Sequence, residues 1–145
     1  MKQLVLSIIF TFFSLFIFAQ ESPADKILGE WLNEEKNQKI EIYKTGNHYF
    51  GKVTWSTDFL EADGMTSKKD VRNTDVTLKT RNLINTVILN KFEYDQGVWD
   101  HGTMYDPRSG KTYSCIIKLR NKKLEIRGYV GVSLLGKTTY WEKLE

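Results

Sequence analysis

The side chains that could do covalent or metal chemistry are few and scattered. His48 and His101 are the only histidines, and Cys115 is the only cysteine. A protein-held zinc takes three or four His, Cys or carboxylate ligands at short, regular spacings, and neither histidine has such company. Asp100 and His101 are adjacent, so in a regular strand their side chains leave on opposite faces. Glu61, Asp63 and Gly64 lack the alternating oxygen ligands and closing Glu of a calcium loop. No Gly-x-Ser-x-Gly elbow occurs, and Ser109 stands in a turn with no base near it in sequence. Glu34-Glu35 reads as a solvated charged turn. Cys115 lies inside the alternating run Thr112–Leu119, where it reads as a small buried hydrophobe; a reactive thiol would want a base and a cation beside it. The sequence therefore names no catalytic residue, metal ligand or cofactor.

Binding chemistry has better candidates. In Leu124–Val130, Arg127 and Tyr129 share one strand face, while Leu124, Ile126, Gly128 and Val130 share the other. An apolar interior would draw in the Leu/Ile/Val set and leave Arg127 in solvent. A ligand site would draw in Arg127 and Tyr129 together, and an inward Arg requires an anionic partner because a buried unpaired charge is costly. Such an Arg–Tyr pair is similar to the carboxylate clamp of fatty-acid-binding barrels. Tyr105 and Asp106 raise the same choice. Asp106-Pro107-Arg108-Ser109-Gly110 has the composition of a tight turn, yet Tyr105 and Asp106 at its edge could face a pocket.

The elements that must position these residues are strands. Glu30–Asn33, Lys39–Lys44, Tyr49–Trp55, Thr86–Tyr94, Val98–Tyr105, Thr112–Leu119, Leu124–Val130 and Thr138–Leu144 alternate or are rich in branched and aromatic residues. Turn residues separate them. Short connections favour neighbouring antiparallel pairs. The expected fold is all-β: an eight-stranded antiparallel up-and-down barrel with one long inserted loop, residues 56–84. Closure removes aggregation-prone edges, and eight strands is the size that just holds one small ligand. Gly51, Gly102 and Gly128 fall inside strands, where glycine marks a bend or a close approach. A short helix is expected near Asp75–Thr80 within the long loop.

The first 19 residues set the expected destination. Lys2, an apolar block from Leu4 to Phe18 and a small residue, Ala19, describe a secretory signal peptide cleaved after Ala19. The block is shorter than the roughly 20 residues of a spanning helix, so no stable membrane span is expected after cleavage. Export to the periplasm or the exterior follows, with residues 20–145 as one domain. Of 21 basic residues only Lys2 lies in the leader, so against 18 acidic ones the mature chain carries +2. Its cations are dispersed, which argues against nucleic acid as a partner. One cysteine allows no internal disulfide.

Two resemblances sharpen this picture. Gly29-Glu30-Trp31 is similar to the Gly-x-Trp signature of lipocalin-like barrels, which implies that Trp31 plugs the closed end and that Lys143 packs across it. Trp99, Gly102, Tyr105-Asp106-Pro107, Ser109-Gly110-Lys111-Thr112-Tyr113, Arg127-Gly128-Tyr129, Gly131, Gly136 and Trp141 resemble the DUF2147 family of exported bacterial proteins. Asp70, Asn73, Leu78 and Arg81 fit that family's Asp-x-x-Asn…Leu-x-x-Arg segment. Thr74, Asn82 and Asn85 depart from its Pro and Gly positions, and Lys143 from its usual Arg. The resemblance implies a lipocalin-like fold and export without an assigned activity.

The expected function is accordingly a barrel that binds a small apolar or amphiphilic ligand. Asp70, Asn73, Arg81, Tyr105, Asp106, Arg127 and Tyr129 are its candidate contacts. Gly29, Trp31, Trp99, Gly102, Pro107, Gly110, Gly128, Trp141 and Lys143 are expected to be structural. Two alternatives remain open: a packed module that binds an envelope protein through its outer surface, and an enzyme with a site at the barrel mouth on Asp70, Asp106 or His101.

Overall fold

Period-two alternation closes on itself. The computed structural model describes residues 20–145; the expected leader lies outside the described residues. The strands are β1 (Gly29–Asn33), β2 (Gln38–Thr45), β3 (His48–Ser56), β4 (Val87–Asp95), β5 (Val98–Asp106), β6 (Lys111–Arg120), β7 (Lys123–Tyr129) and β8 (Lys137–Lys143). Each pairs antiparallel with the next, and β8 returns to β1 through Trp31–Lys143 and Asn33–Trp141, so the barrel is closed. Alternate residues point inward, among them Ile40 and Ile42 on β2, Ile117 on β6 and Leu124 and Ile126 on β7, all buried. Each such aliphatic side chain stabilises the fold by about 1.5–3 kcal/mol relative to exposure.

Turn chemistry sets the register at one end. Gln96 and Gly97 both adopt positive φ, as do Asn121 and Lys122. Paired positive φ values give hairpin turns whose twist matches the strands they join. Bulges break the simple alternation elsewhere. Register shifts between Trp99 and Gly102, where His101 takes φ 60°, so Asp100 and His101 do not continue a regular strand. The bulge brings Gly102 inward, where a Cβ would meet the Phe92 ring at 2.4 Å. Gly102 is thus the floor on which Phe92 lies, a close approach that only glycine allows.

The barrel has one plugged end and one open end. At the plugged end the 3-10 turn Pro23–Ile27 lies across the opening, with Ala24 and Ile27 buried. Three side chains fasten it: Trp31 Nε1 donates to the Ile27 carbonyl at 2.9 Å, Trp99 Nε1 donates to the Ala24 carbonyl at 3.1 Å, and Tyr49 Oη donates to Asp25 Oδ1 at 2.6 Å. Lys143 Nζ lies 5.7 Å from the centre of the Trp31 ring, the cation-over-Trp packing that Gly-x-Trp implied. Above the plug, Ile40, Val53, Leu89, Phe92, Ile117 and Leu124 fill the interior.

The loops at the other end include the long β3–β4 connection. It is braced by isolated bridges Leu60–Ser67 and Lys69–Asn82. The helix expected near Asp75–Thr80 is a 3-10 turn, Val76–Leu78, with the Asp75 carboxylate accepting from Thr77 N.

Candidate functional site

The interior is not filled to the open end. A cavity of about 550 Å³ opens there, inside the range of small-ligand sites. Its walls are built by the inward faces of β4 to β8: Ile88, Met104, Tyr113, Ile126, Thr139 and Trp141, with Phe59 from the long loop. They bound a space because no plug closes this end. Gly128 faces the cavity, and a Cβ there would press on the Met104 methyl at 2.6 Å. At the rim stand Tyr105, Asp106, Arg108, Tyr129, Val130, Leu135 and Lys137.

Polar side chains in this lining are left without a protein partner, Gln38 deepest among the strands. Gln38 is 8% exposed, and its carboxamide makes no hydrogen bond among the described residues, although its backbone N–H donates to Asn33 Oδ1 at 2.9 Å. The carboxamide is accessible from the cavity and free to hydrogen-bond a ligand there. Thr139, by contrast, is satisfied: its hydroxyl accepts from Trp141 Nε1 at 2.9 Å and donates to the Ile126 carbonyl at 3.4 Å.

Four of the candidate contacts come together beside the cavity, and of these only Tyr105 reaches its rim. Asp70 is 1% exposed, and both its oxygens are engaged. Oδ1 accepts from Tyr105 Oη at 2.6 Å. Oδ2 accepts from Asn73 Nδ2 at 2.9 Å and from Arg81 Nε and Nη2 at 2.9 and 2.8 Å. The Arg81 guanidinium also stacks over the Tyr105 ring. Burial, aided by the hydrogen bond to Asp70, pushes the Tyr105 hydroxyl up to about 12. The cluster clasps the long loop to β5. A second clasp lies next to it: Gly110, at φ +72°, packs on the Arg72 carbonyl, and Arg72 Nη1 donates to the Arg108 carbonyl at 2.5 Å.

The remaining candidates separate. Asp106 reaches the cavity rim, but its carboxylate is occupied by its own turn, accepting from Arg108 N at 3.0 Å and Ser109 Oγ at 2.8 Å. Tyr129 lines the rim. Arg127 takes the solvent-side alternative: it lies outside the cavity lining and donates to the Ser133 carbonyl, the Leu134 carbonyl and Thr138 Oγ1. Cys115 is buried in the wall, and burial pushes its thiol up to about 12, so it is held as a neutral thiol. His48 pairs with Glu93 at the surface, 3.2 Å away.

Gln38, Met104, Ile126 and Thr139 were not singled out by sequence, because an alternating strand gives the same pattern for a cavity wall as for a core. Trp141, expected to be structural, is both buried and part of the wall.

Comparison with known proteins agrees with this geometry. No curated protein matches the chain. The fold is similar to that of a solved structure, protein HP1028 from Helicobacter pylori, described as belonging to the lipocalin family. The TM-score is 0.72 at 22% identity, covering 82% of this chain and 83% of that one. A family model described as an uncharacterized protein conserved in bacteria matches residues 29–143, from the Gly of Gly-x-Trp to the lysine over Trp31. That match spans most of the sequence, and the chain belongs to the DUF2147 family.

Proposed function

We propose that this barrel binds a small, mostly apolar ligand carrying one hydrogen-bonding group in the cavity at its open end. The observation that carries the reading is the lining. Apolar and aromatic walls surround a few polar groups, among them the Gln38 carboxamide, whose N–H groups can donate to a ligand carbonyl or hydroxyl and whose oxygen can accept from a hydroxyl. Burial of the ligand's apolar body among Ile88, Met104, Ile126 and Trp141 supplies the affinity, and Gln38 supplies orientation. The alternative of a packed module working through its outer face loses support where the interior stands open. An enzyme reading finds little support, since the Asp70 and Asp106 carboxylates are each taken up by neighbouring protein groups.

The leader read in residues 1–19 supports binding outside the cytoplasm, and N-terminal sequencing of an exported form should then begin at Gln20. For the binding itself, N-phenylnaphthylamine is a suitable apolar probe. The wild type should take it up with a rise in dye emission and energy transfer from tryptophan. Gly128→Leu, whose side chain projects into the cavity against a Met104 methyl that can yield, should abolish uptake with the fold retained. Equal uptake by this variant would sink the reading.

A further inference from the structure

The β7–β8 loop is an apolar finger at the cavity mouth. Leu134 is 87% exposed, Leu135 81%, Val130 71% and Val132 58%, a density of exposed apolar side chains that ordinary surfaces avoid. The finger is built rather than loose. Arg127 spans its base, donating to the Ser133 carbonyl at 2.6 Å and the Leu134 carbonyl at 3.2 Å, while Leu135 N and Gly136 N donate back to the Val132 and Ser133 carbonyls. The Val132, Ser133 and Leu134 carbonyls and the Leu135 and Gly136 N–H groups are therefore satisfied within the loop, which holds its shape.

Charge decides what the finger meets. Between Glu125 and Glu142 the chain holds no acidic residue, while Arg127 and Lys137 flank the loop. Lys111 opens β6, the strand next to β7, and neither Lys111 nor Lys137 forms an ion pair among the described residues. Apolar side chains at the tip with cations behind them are the pattern of a segment that seats in an anionic lipid surface. Of the other exposed apolar residues, Met65, Val71 and Val76 are spread along the long loop among Glu61, Asp63 and Asp75, and Tyr140 stands on β8 beside Glu142, so none makes this pattern.

We propose that the β7–β8 loop docks the protein on an anionic membrane surface, with Leu134 and Leu135 entering the headgroup layer and Lys111 and Lys137 facing lipid phosphates. Val130 and Leu135 also line the cavity rim, so docking sets the mouth against the bilayer. The inference does not depend on what the cavity holds.

The test is sedimentation of the exported protein with vesicles of phosphatidylglycerol and phosphatidylcholine, and with phosphatidylcholine alone. Binding should require the anionic lipid and weaken with salt. The double variant Val132→Ser/Leu134→Ser, which alters only exposed side chains outside the cavity lining, should lose binding by on the order of tenfold or more. Its uptake of the apolar dye should match wild type, so loss of docking and loss of cavity binding are read separately. Absence of binding to anionic vesicles, or equal binding by the double variant, would overturn the proposal. So would sedimentation velocity showing a wild-type dimer that the double variant dissolves, because the finger would then cover a second copy of the chain.

Discussion

Removing the Tyr105 hydroxyl should open the clasp that holds the long loop to the barrel. Tyr105→Phe keeps the ring under Arg81 but deletes the donor 2.6 Å from Asp70 Oδ1. Asp70 is buried, so water cannot readily replace the lost bond, and a carboxylate oxygen is stranded. Losing a hydrogen bond to a charged, buried group costs about 1.5–3 kcal/mol. For a chain of this size that is a fall of roughly 6–10 °C in Tm. The control is Tyr113→Phe in the cavity lining, whose hydroxyl has no hydrogen-bond partner among the described residues and whose loss should stay within about 0.5 kcal/mol. Thermal unfolding of both variants, with limited proteolysis of residues 56–84 under native conditions, reads the effect. Cleavage in the loop should accelerate in Tyr105→Phe alone. A Tm within about 1 °C of wild type, or loop cleavage at the wild-type rate, would refute the clasp.

Other consequences follow from the same contacts. The Tyr105 hydroxyl titrates near 10.0 when unfolded and is pushed up to about 12 when folded. Across that interval the folded chain keeps a proton that the unfolded chain releases, so stability should fall as pH rises from 10 to 12. Urea unfolding across this range should show a shallower fall in Tyr105→Phe; an unchanged slope would contradict the assignment. Gly110→Ala should destabilise by at least about 2 kcal/mol, because its Cβ would lie 2.0 Å from the Arg72 carbonyl at a positive φ that side chains disfavour. Denaturant midpoints measure this, and a neutral result would mean that the two loops do not touch. Trp99→Phe deletes the bond to the Ala24 carbonyl and should cost about 1–3 kcal/mol, with faster amide exchange in residues 23–28.

Much of the scaffold was legible in the sequence because strands and tight turns declare themselves locally. The expected strand Thr86–Tyr94 appears as Val87–Asp95, and Leu124–Val130 as Lys123–Tyr129. Gly-x-Trp led to Lys143 over Trp31, a contact between the two ends of the domain, only through resemblance. What stayed hidden was of two kinds. The bulges at Lys91 and His101 leave no mark in residue type, and each resets which side chains face inward. The site is the other. Asp70, Asn73, Arg81 and Tyr105 stood out as polar residues of a motif, but their convergence spans 35 positions and depends on how the loop folds back. Ile126 lines a cavity while Leu124, two residues away on the same face, packs in the core. Depth along the barrel axis separates them, and alternation carries no record of depth.

The central claim is that the open end holds a ligand. Native mass spectrometry of the full chain, expressed and purified gently, tests it most directly. The account predicts a reproducible extra mass on the wild type that is released on denaturation and absent from Gly128→Leu. A wild-type spectrum showing only the bare chain, together with no uptake of N-phenylnaphthylamine, would contradict it.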